Sequence, residues 1–141
     1  MEYRSSRSVT AVLDGAPYTT RITSRDQQWM ADEPSSDGGQ DQGPRPHELL
    51  LSALASCTAI TLRMYADRKQ WNVGPIGITV SMERVQRGAQ IDTRIHMDIE
   101  LDPAVPEDQR QRLAQIARSC PVHRTLENPI HLSSGVKVAG A

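Results

Sequence analysis

The sequence predicts an α+β fold, one domain over residues 1–141, with an antiparallel sheet and a long buried central helix. Three observations carry this. Residues 76–101 alternate apolar and polar side chains with a period of two, the mark of strands with one wet face. Residues 47–69 hold an unbroken run rich in Leu, Ala, Ile and Met, the strongest helix signal in the chain. Strand and helix signals are segregated along the chain rather than in regular alternation, which favours α+β over a parallel α/β sheet.

The elements follow in order. Val9 to Leu13 reads as a strand that meets a turn at Asp14-Gly15, and Tyr18 to Ser24 returns as a second. Asp32 to Pro46, DEPSSDGGQDQGPRP, is too rich in Gly, Pro, Asp and Ser for a helix or central strand. A loop this long in a small domain is more often functional than idle. Pro46 suits the first position of the helix that runs from His47 to about Lys69, and Arg63, Arg68 and Lys69 suit its C-terminal dipole. After the hairpin, Pro106-Glu107-Asp108 opens a second helix with Leu113, Ile116 and Ala117 as its buried stripe. Pro121 to about Glu127 reads as a short third helix, and Ile130 to Val138 as a last strand.

Between Leu49 and Leu62 the long helix is apolar or small on nearly every side, so it must be covered on every side. A chain of 141 residues has little to enclose it with, whereas Ser52, Ala53, Ala55, Ser56 and Ala59 would let a second helix approach closely. The expectation is that this helix packs at a subunit interface.

Charged residues make up 23% of the chain and the formal net charge is −1, which points to neither nucleic acid nor an anionic membrane as partner. Met1 to Ser6 has no apolar core for a signal peptide, and the run Leu49–Met64 is interrupted by Ser52, Ser56, Thr58, Thr61 and Arg63 and reads as too polar to span a membrane. A cytoplasmic location is expected. In a reducing compartment the two cysteines, Cys57 and Cys120, are either inert core thiols or redox-active ones.

From its helix alone, Cys57 reads as a small core hydrophobe in line with Leu50, Leu54 and Thr61. Reactivity would need a cation or hydrogen-bond donors brought from outside the helix. Cys120, just before Pro121, would be the N-cap of the third helix, where the dipole lowers a thiol pKa. It reads equally as a buried cysteine at a helix junction. The distance between the two cysteines does not follow from their spacing. His96 and His131 fall on polar strand positions, His47 and His123 stand alone near helix starts, and no histidine or cysteine has metal-ligand spacing.

The run DEPSSDGGQDQGPRPHELLLSALASCTAITLRMYADRK resembles the central signature of the OsmC/Ohr superfamily, a Gly/Pro loop leading into a long helix with the first catalytic cysteine. The later run SCPVHRTLENPI resembles that family's second cysteine motif. The loop and helix look closest to the broad OsmC-like branch. The resemblance implies an OsmC-like fold, an intertwined homodimer with the long helices at its centre, and two active sites at the interface. It implies a cofactor-free thiol peroxidase that reduces organic hydroperoxides and is itself reduced by an external dithiol reductant. Cys57 would be the peroxidatic residue, and Cys120 the resolving residue that forms a disulfide with its sulfenic acid.

In the hydroperoxide-resistance branch a glutamate ten residues before the first cysteine pairs with an activating N-terminal arginine. Here the candidate is Glu48, nine residues before Cys57, which a straight helix places about 180° away and about 13 Å along. Either the helix is broken near its start, or Glu48 acts across the dimer, or it is a first-turn acid favoured by the dipole. The arginine could be Arg21, Arg4, Arg7 or Arg25. A pocket lined by Leu50, Leu54 and Met64 would favour organic over hydrogen peroxide. The alternatives are a non-enzymatic dimer that binds a small apolar ligand or senses redox state at the interface cleft, and a structural domain with inert thiols.

Overall fold

The structure is a computed structural model that describes residues 1–140. Two compact units can be described, Met1–Ser52 and Ala53–Ala141. Each has its own sheet, of three antiparallel strands and of two.

In the first unit, strands Thr10–Val12 (β1), Thr20–Ser24 (β2) and Gln27–Ala31 (β3) form a meander. The first two were expected. β3 was not, because Gln27 and Gln28 hide its pattern. Its β2 partners fix the register, Ile22 opposite Trp29 and Thr20 opposite Ala31, around a turn with Arg25 at φ 54°.

The loop after β3 is ordered by one buried carboxylate. Asp32, 2% exposed, accepts the Thr19 hydroxyl at 2.6 Å and the N–H groups of Glu33 at 2.7 Å, Gln42 at 3.2 Å and Gln40 at 3.5 Å. A buried carboxylate is tolerated when its lone pairs are satisfied in this way. The Thr19 bond holds Asp32 below the ordinary carboxylate pKa, burial opposes it, and the N–H groups of Glu33, Gln42 and Gln40 add to the lowering. A depressed carboxyl stabilises the folded state above its unfolded pKa, about 4, and that stability is lost as pH falls through the folded value. Melting temperature measured across the acid range is therefore expected to fall on acidification. Asp32→Asn, which does not ionise, is expected to be less stable near neutrality and flatter in its acid dependence.

Pro46–Arg68 (α1) begins and ends as the sequence reading expected, within one residue. Leu54, Thr58, Leu62 and Ala66 recur every four residues and form its buried face. Ile60 and Met64 lie exposed on other faces. By length and mean hydropathy (1.5 over 18 residues) α1 meets the measure of a membrane-crossing helix, so its Ser and Thr residues do not by themselves make it too polar. Its Leu62 and Ala66, however, belong to a water-excluding protein core with Val73, Val105, Leu113 and Ala117.

In the second unit, Ile76–Arg87 (β4) and Gln90–Leu101 (β5) pair along their whole length around a turn with Gly88 at φ 62°. That left-handed φ suits glycine and almost no β-branched residue. Ile76 faces Leu101, Ile78 faces Ile99, Val80 faces Met97 and Met82 faces Ile95, so one face is apolar. Ile76, Ile78, Met97, Ile99 and Leu101 pack against the core. Glu107–Ala117 (α2) buries Leu113 and Ala117, with Ile116 partly buried, and Pro121–Glu127 (α3) follows. The strand expected over 130–138 does not form among the described residues. The segment is extended and exposed, with Leu132 and Val136 almost bare, and no strand pairs with it. Alternation marks a pleated ribbon but supplies no hydrogen-bonding partner.

Candidate functional site

Two side chains far apart in sequence meet in the second unit. Cys57 stands one residue off the buried Leu54–Thr58–Leu62 line of α1, which leaves it half-buried, while Cys120 is fully buried at the N-cap of α3. Pro121 at the first position of α3 turns the chain so that Cys120 comes to rest against α1. Both cysteines are free thiols, and they lie close enough for each to perturb the ionisation of the other.

The donors that Cys57 lacked in its own helix come from α3. The Val122 N–H lies close to the Cys57 sulfur, and the Thr61 hydroxyl approaches it from the next turn of α1. Around Cys120 stand the N–H groups of His123 and Val122 and the Thr58 side chain, although no strict side-chain cap bond closes α3. The buried Thr58 hydroxyl itself donates to the Leu54 carbonyl at 2.8 Å.

These contacts divide the two thiols. Burial pushes Cys57 up, and its role as donor to Cys120 pushes it further, against the Val122 N–H and Thr61. Burial also pushes Cys120 up, but the bonds from Cys57, the His123 N–H, Thr58 and the Val122 N–H outweigh it and leave the thiol below its ordinary value. Two sulfurs in contact share one proton once the first is lost, and the negative charge rests mainly on Cys120.

A cavity of about 370 Å³ is lined by Leu54 of α1, by Thr93, Ile95, His96 and Met97 of β5, and by His123, Leu126 and Glu127 of α3, with neither cysteine in its wall. Of the three residues expected to line a pocket, only Leu54 does so. Leu50 and Met64 are exposed, and the apolar wall comes from β5 and α3 instead. His123 was set aside as a lone histidine, yet its Nδ1 lies 2.6 Å from Glu127 Oε1, at an angle too poor for a hydrogen bond. The His123–Glu127 spacing, one helical turn, was the signal that could have found it.

Glu48 is in the first turn of α1, and its carboxylate accepts the Arg45 N–H at 2.8 Å, one half of a capping box. α1 runs unbroken through both Glu48 and Cys57, which removes the reading in which the helix breaks near its start. Of the candidate arginines, Arg21 faces Asp14 at 3.8 Å, Arg4 pairs with Glu2, Arg7 donates to the Ser6 carbonyl at 3.0 Å and Arg25 forms the β2–β3 turn. Among the described residues no cluster of three or more His, Cys, Asp or Glu side chains has the arrangement to hold a metal ion.

Residues 39–134 match the family model described as OsmC-like protein, more than half of the chain, and they include both cysteines. The chain belongs to the OsmC-like protein family. Among solved structures, an OsmC-like protein from Mycoplasma pneumoniae superposes with a TM-score of 0.75 at 23% identity, over 89% of each chain. An organic hydroperoxide resistance protein from Legionella pneumophila gives 0.66 at 13% identity, over 89% of this chain and 91% of that one. The organic hydroperoxide resistance protein OhrB of Bacillus subtilis gives 0.60 at 20%, over 85% and 89%. At these identities the likeness is one of fold. A search of curated proteins finds no match to this sequence.

Proposed function

We propose that this chain is a thiol-dependent peroxidase that reduces organic hydroperoxides with Cys57 and Cys120, without a bound cofactor and with an external dithiol as reductant. The observation that carries the reading is the approach of a half-buried thiol to a fully buried one, Cys57 to Cys120, on two elements, α1 and α3, that also contribute to a cavity with an apolar wall. Family membership and the hydroperoxide-resistance proteins of the same fold support a redox, peroxide-detoxifying role.

Access assigns the roles. Cys57 is the sulfur a peroxide can meet, so it attacks, and Cys120 resolves. Charge rests mainly on Cys120, so the Cys120 thiolate first takes the Cys57 proton across their contact. The Cys57 thiolate then attacks the terminal oxygen of RO–OH. An S–O bond forms, the O–O bond breaks, and RO⁻ leaves and is protonated to the alcohol. Cys120 then displaces hydroxide from the Cys57 sulfenic acid, forming the disulfide and water. A dithiol reduces the disulfide in a reducing, cytoplasmic setting. Consumption of tert-butyl hydroperoxide by the reduced protein with a dithiol tests the reading. No consumption across alkyl hydroperoxides and dithiols would sink it.

The working form in this proposal is a homodimer. Ile60 and Met64 leave an apolar face of α1 bare, and a second copy of α1 can cover it. Sedimentation is expected to give twice the 15.6 kDa chain mass, and Ile60→Arg a monomer. A wild-type monomer would remove this part. Glu48 acting across that dimer remains within the proposal, alongside its capping role, and Glu48→Gln should then slow peroxide reduction more than it lowers the melting temperature.

A further inference from the structure

The proposed reaction leaves one demand unmet by the two cysteines: the departing alkoxide is a strong base and must be protonated as the O–O bond breaks. We propose that the His123 imidazole, positioned by Glu127, is the proton donor to that leaving oxygen, a role that rests on the thiol peroxidase reading.

Three observations place His123 there. It lies in the first turn of α3, and the N–H groups of that turn reach both sulfurs, Val122 toward Cys57 and His123 toward Cys120. It lines the cavity of about 370 Å³, whose wall also includes Leu54, three residues before Cys57 on α1. Its Nδ1 is buried 2.6 Å from Glu127 Oε1, without an aligned hydrogen bond to it or to any other group. With Nδ1 buried against the carboxylate, Nε2 is the nitrogen left to serve a molecule in the cavity. A histidine oriented through one nitrogen by a carboxylate and acting through the other is the arrangement that general acid–base chemistry uses.

The same cavity fits an organic peroxide. Leu54, Ile95, Met97 and Leu126 offer an apolar wall for the R group, and Thr93, His96, His123 and Glu127 a polar one for the reacting end. His96 is engaged with Asp98 at 3.0 Å and largely exposed, so it does not compete for the role. As the Cys57 thiolate attacks the terminal oxygen, the O–O electron pair leaves on RO⁻. That oxygen takes the proton from the His123 imidazolium, giving ROH and neutral imidazole, which is reprotonated from solvent.

A general acid matters only when the leaving group is basic, and this separates the role from a structural one. The test measures the rate of Cys57 oxidation with tert-butyl hydroperoxide, which expels an alkoxide, and with a peroxycarboxylic acid, which expels a weakly basic carboxylate. His123→Gln is expected to lose about 10²–10⁴-fold with the hydroperoxide and to keep its rate with the peracid, the gain usual for general acid catalysis. Glu127→Gln, at an exposed position, is expected to show the same selective loss to a smaller degree. Retained peracid reactivity also shows that the variant site is intact. Equal losses with both oxidants, or no loss with either, would overturn the proposal while leaving the peroxidase reading in place. A wild-type protein inert to both oxidants would remove the peroxidase reading and this proposal with it.

Discussion

Cys57→Ser is expected to abolish hydroperoxide reduction, because the hydroxyl left in its place is not ionised near neutral pH and no other accessible thiol exists in the chain. Cys120→Ser is expected to differ in kind. Cys57 should still be oxidised once per chain, and its sulfenic acid should persist or over-oxidise because no second sulfur captures it. The serine hydroxyl can still donate to the Cys57 thiolate, and the competing negative charge on Cys120 is gone. Burial and the role as donor to Cys120, which now push the Cys57 thiol up, are then reduced to burial. Alkylation of Cys57 by iodoacetamide should therefore reach half its limiting rate at lower pH in Cys120→Ser than in the wild type. Loss of peroxide reduction in Cys120→Ser with Cys57 unoxidised would show that the roles are reversed.

The second large effect is expected from Gly39→Ala. A Cβ at Gly39 would lie 1.9 Å from the Glu33 carbonyl oxygen and 2.9 Å from Asp32 Oδ1. Neither can step aside. The Glu33 carbonyl accepts the Asp41 N–H at 3.0 Å, and Asp32 is the carboxylate around which the whole loop is wound. Overpacking against fixed groups costs about 1–3 kcal/mol and sometimes more, and here the obstacle is backbone. A melting temperature lower by about 3–4 °C per kcal/mol is expected for a chain of this size. Gly15→Ala, whose Cβ meets nothing, is the control. Equal stability of Gly39→Ala and Gly15→Ala would mean that the loop is not wound as described.

How much of this was legible in the sequence depended on whether a local signal stood alone or needed a partner. Pro46 and Pro121 mark where α1 and α3 begin, since proline is tolerated at a first helical position and a mid-helix proline is not. The β4–β5 hairpin was legible because its apolar residues alternate on both strands and Gly88 sits between them. β3 was hidden because its sequence, two glutamines followed by Trp29, Met30 and Ala31, carries no period of two. The alternating segment 130–138 misled for the opposite reason: its pattern is that of a strand, but no neighbour pairs with it.

The site divides in the same way. Cys57 and Cys120 were singled out, but their contact followed from resemblance, because spacing in sequence says nothing of distance. The helix period put Cys57 in line with Leu54 as a core residue, whereas the face that packs deepest is Leu54–Thr58–Leu62, one residue away, which leaves Cys57 half-buried and Thr58 buried. The wall of the cavity was out of reach. Ile95 and Met97 come from β5 and Leu126 from α3, and only the fold brings them to Leu54.

The central claim is that Cys57 and Cys120 form one redox centre, and mass analysis of the protein after a single equivalent of tert-butyl hydroperoxide tests it most directly. The account predicts loss of both free thiols together and a Cys57–Cys120 peptide pair that a dithiol separates. A product with Cys57 oxidised beyond the sulfenic acid while Cys120 stays free, or with neither thiol changed, would contradict it.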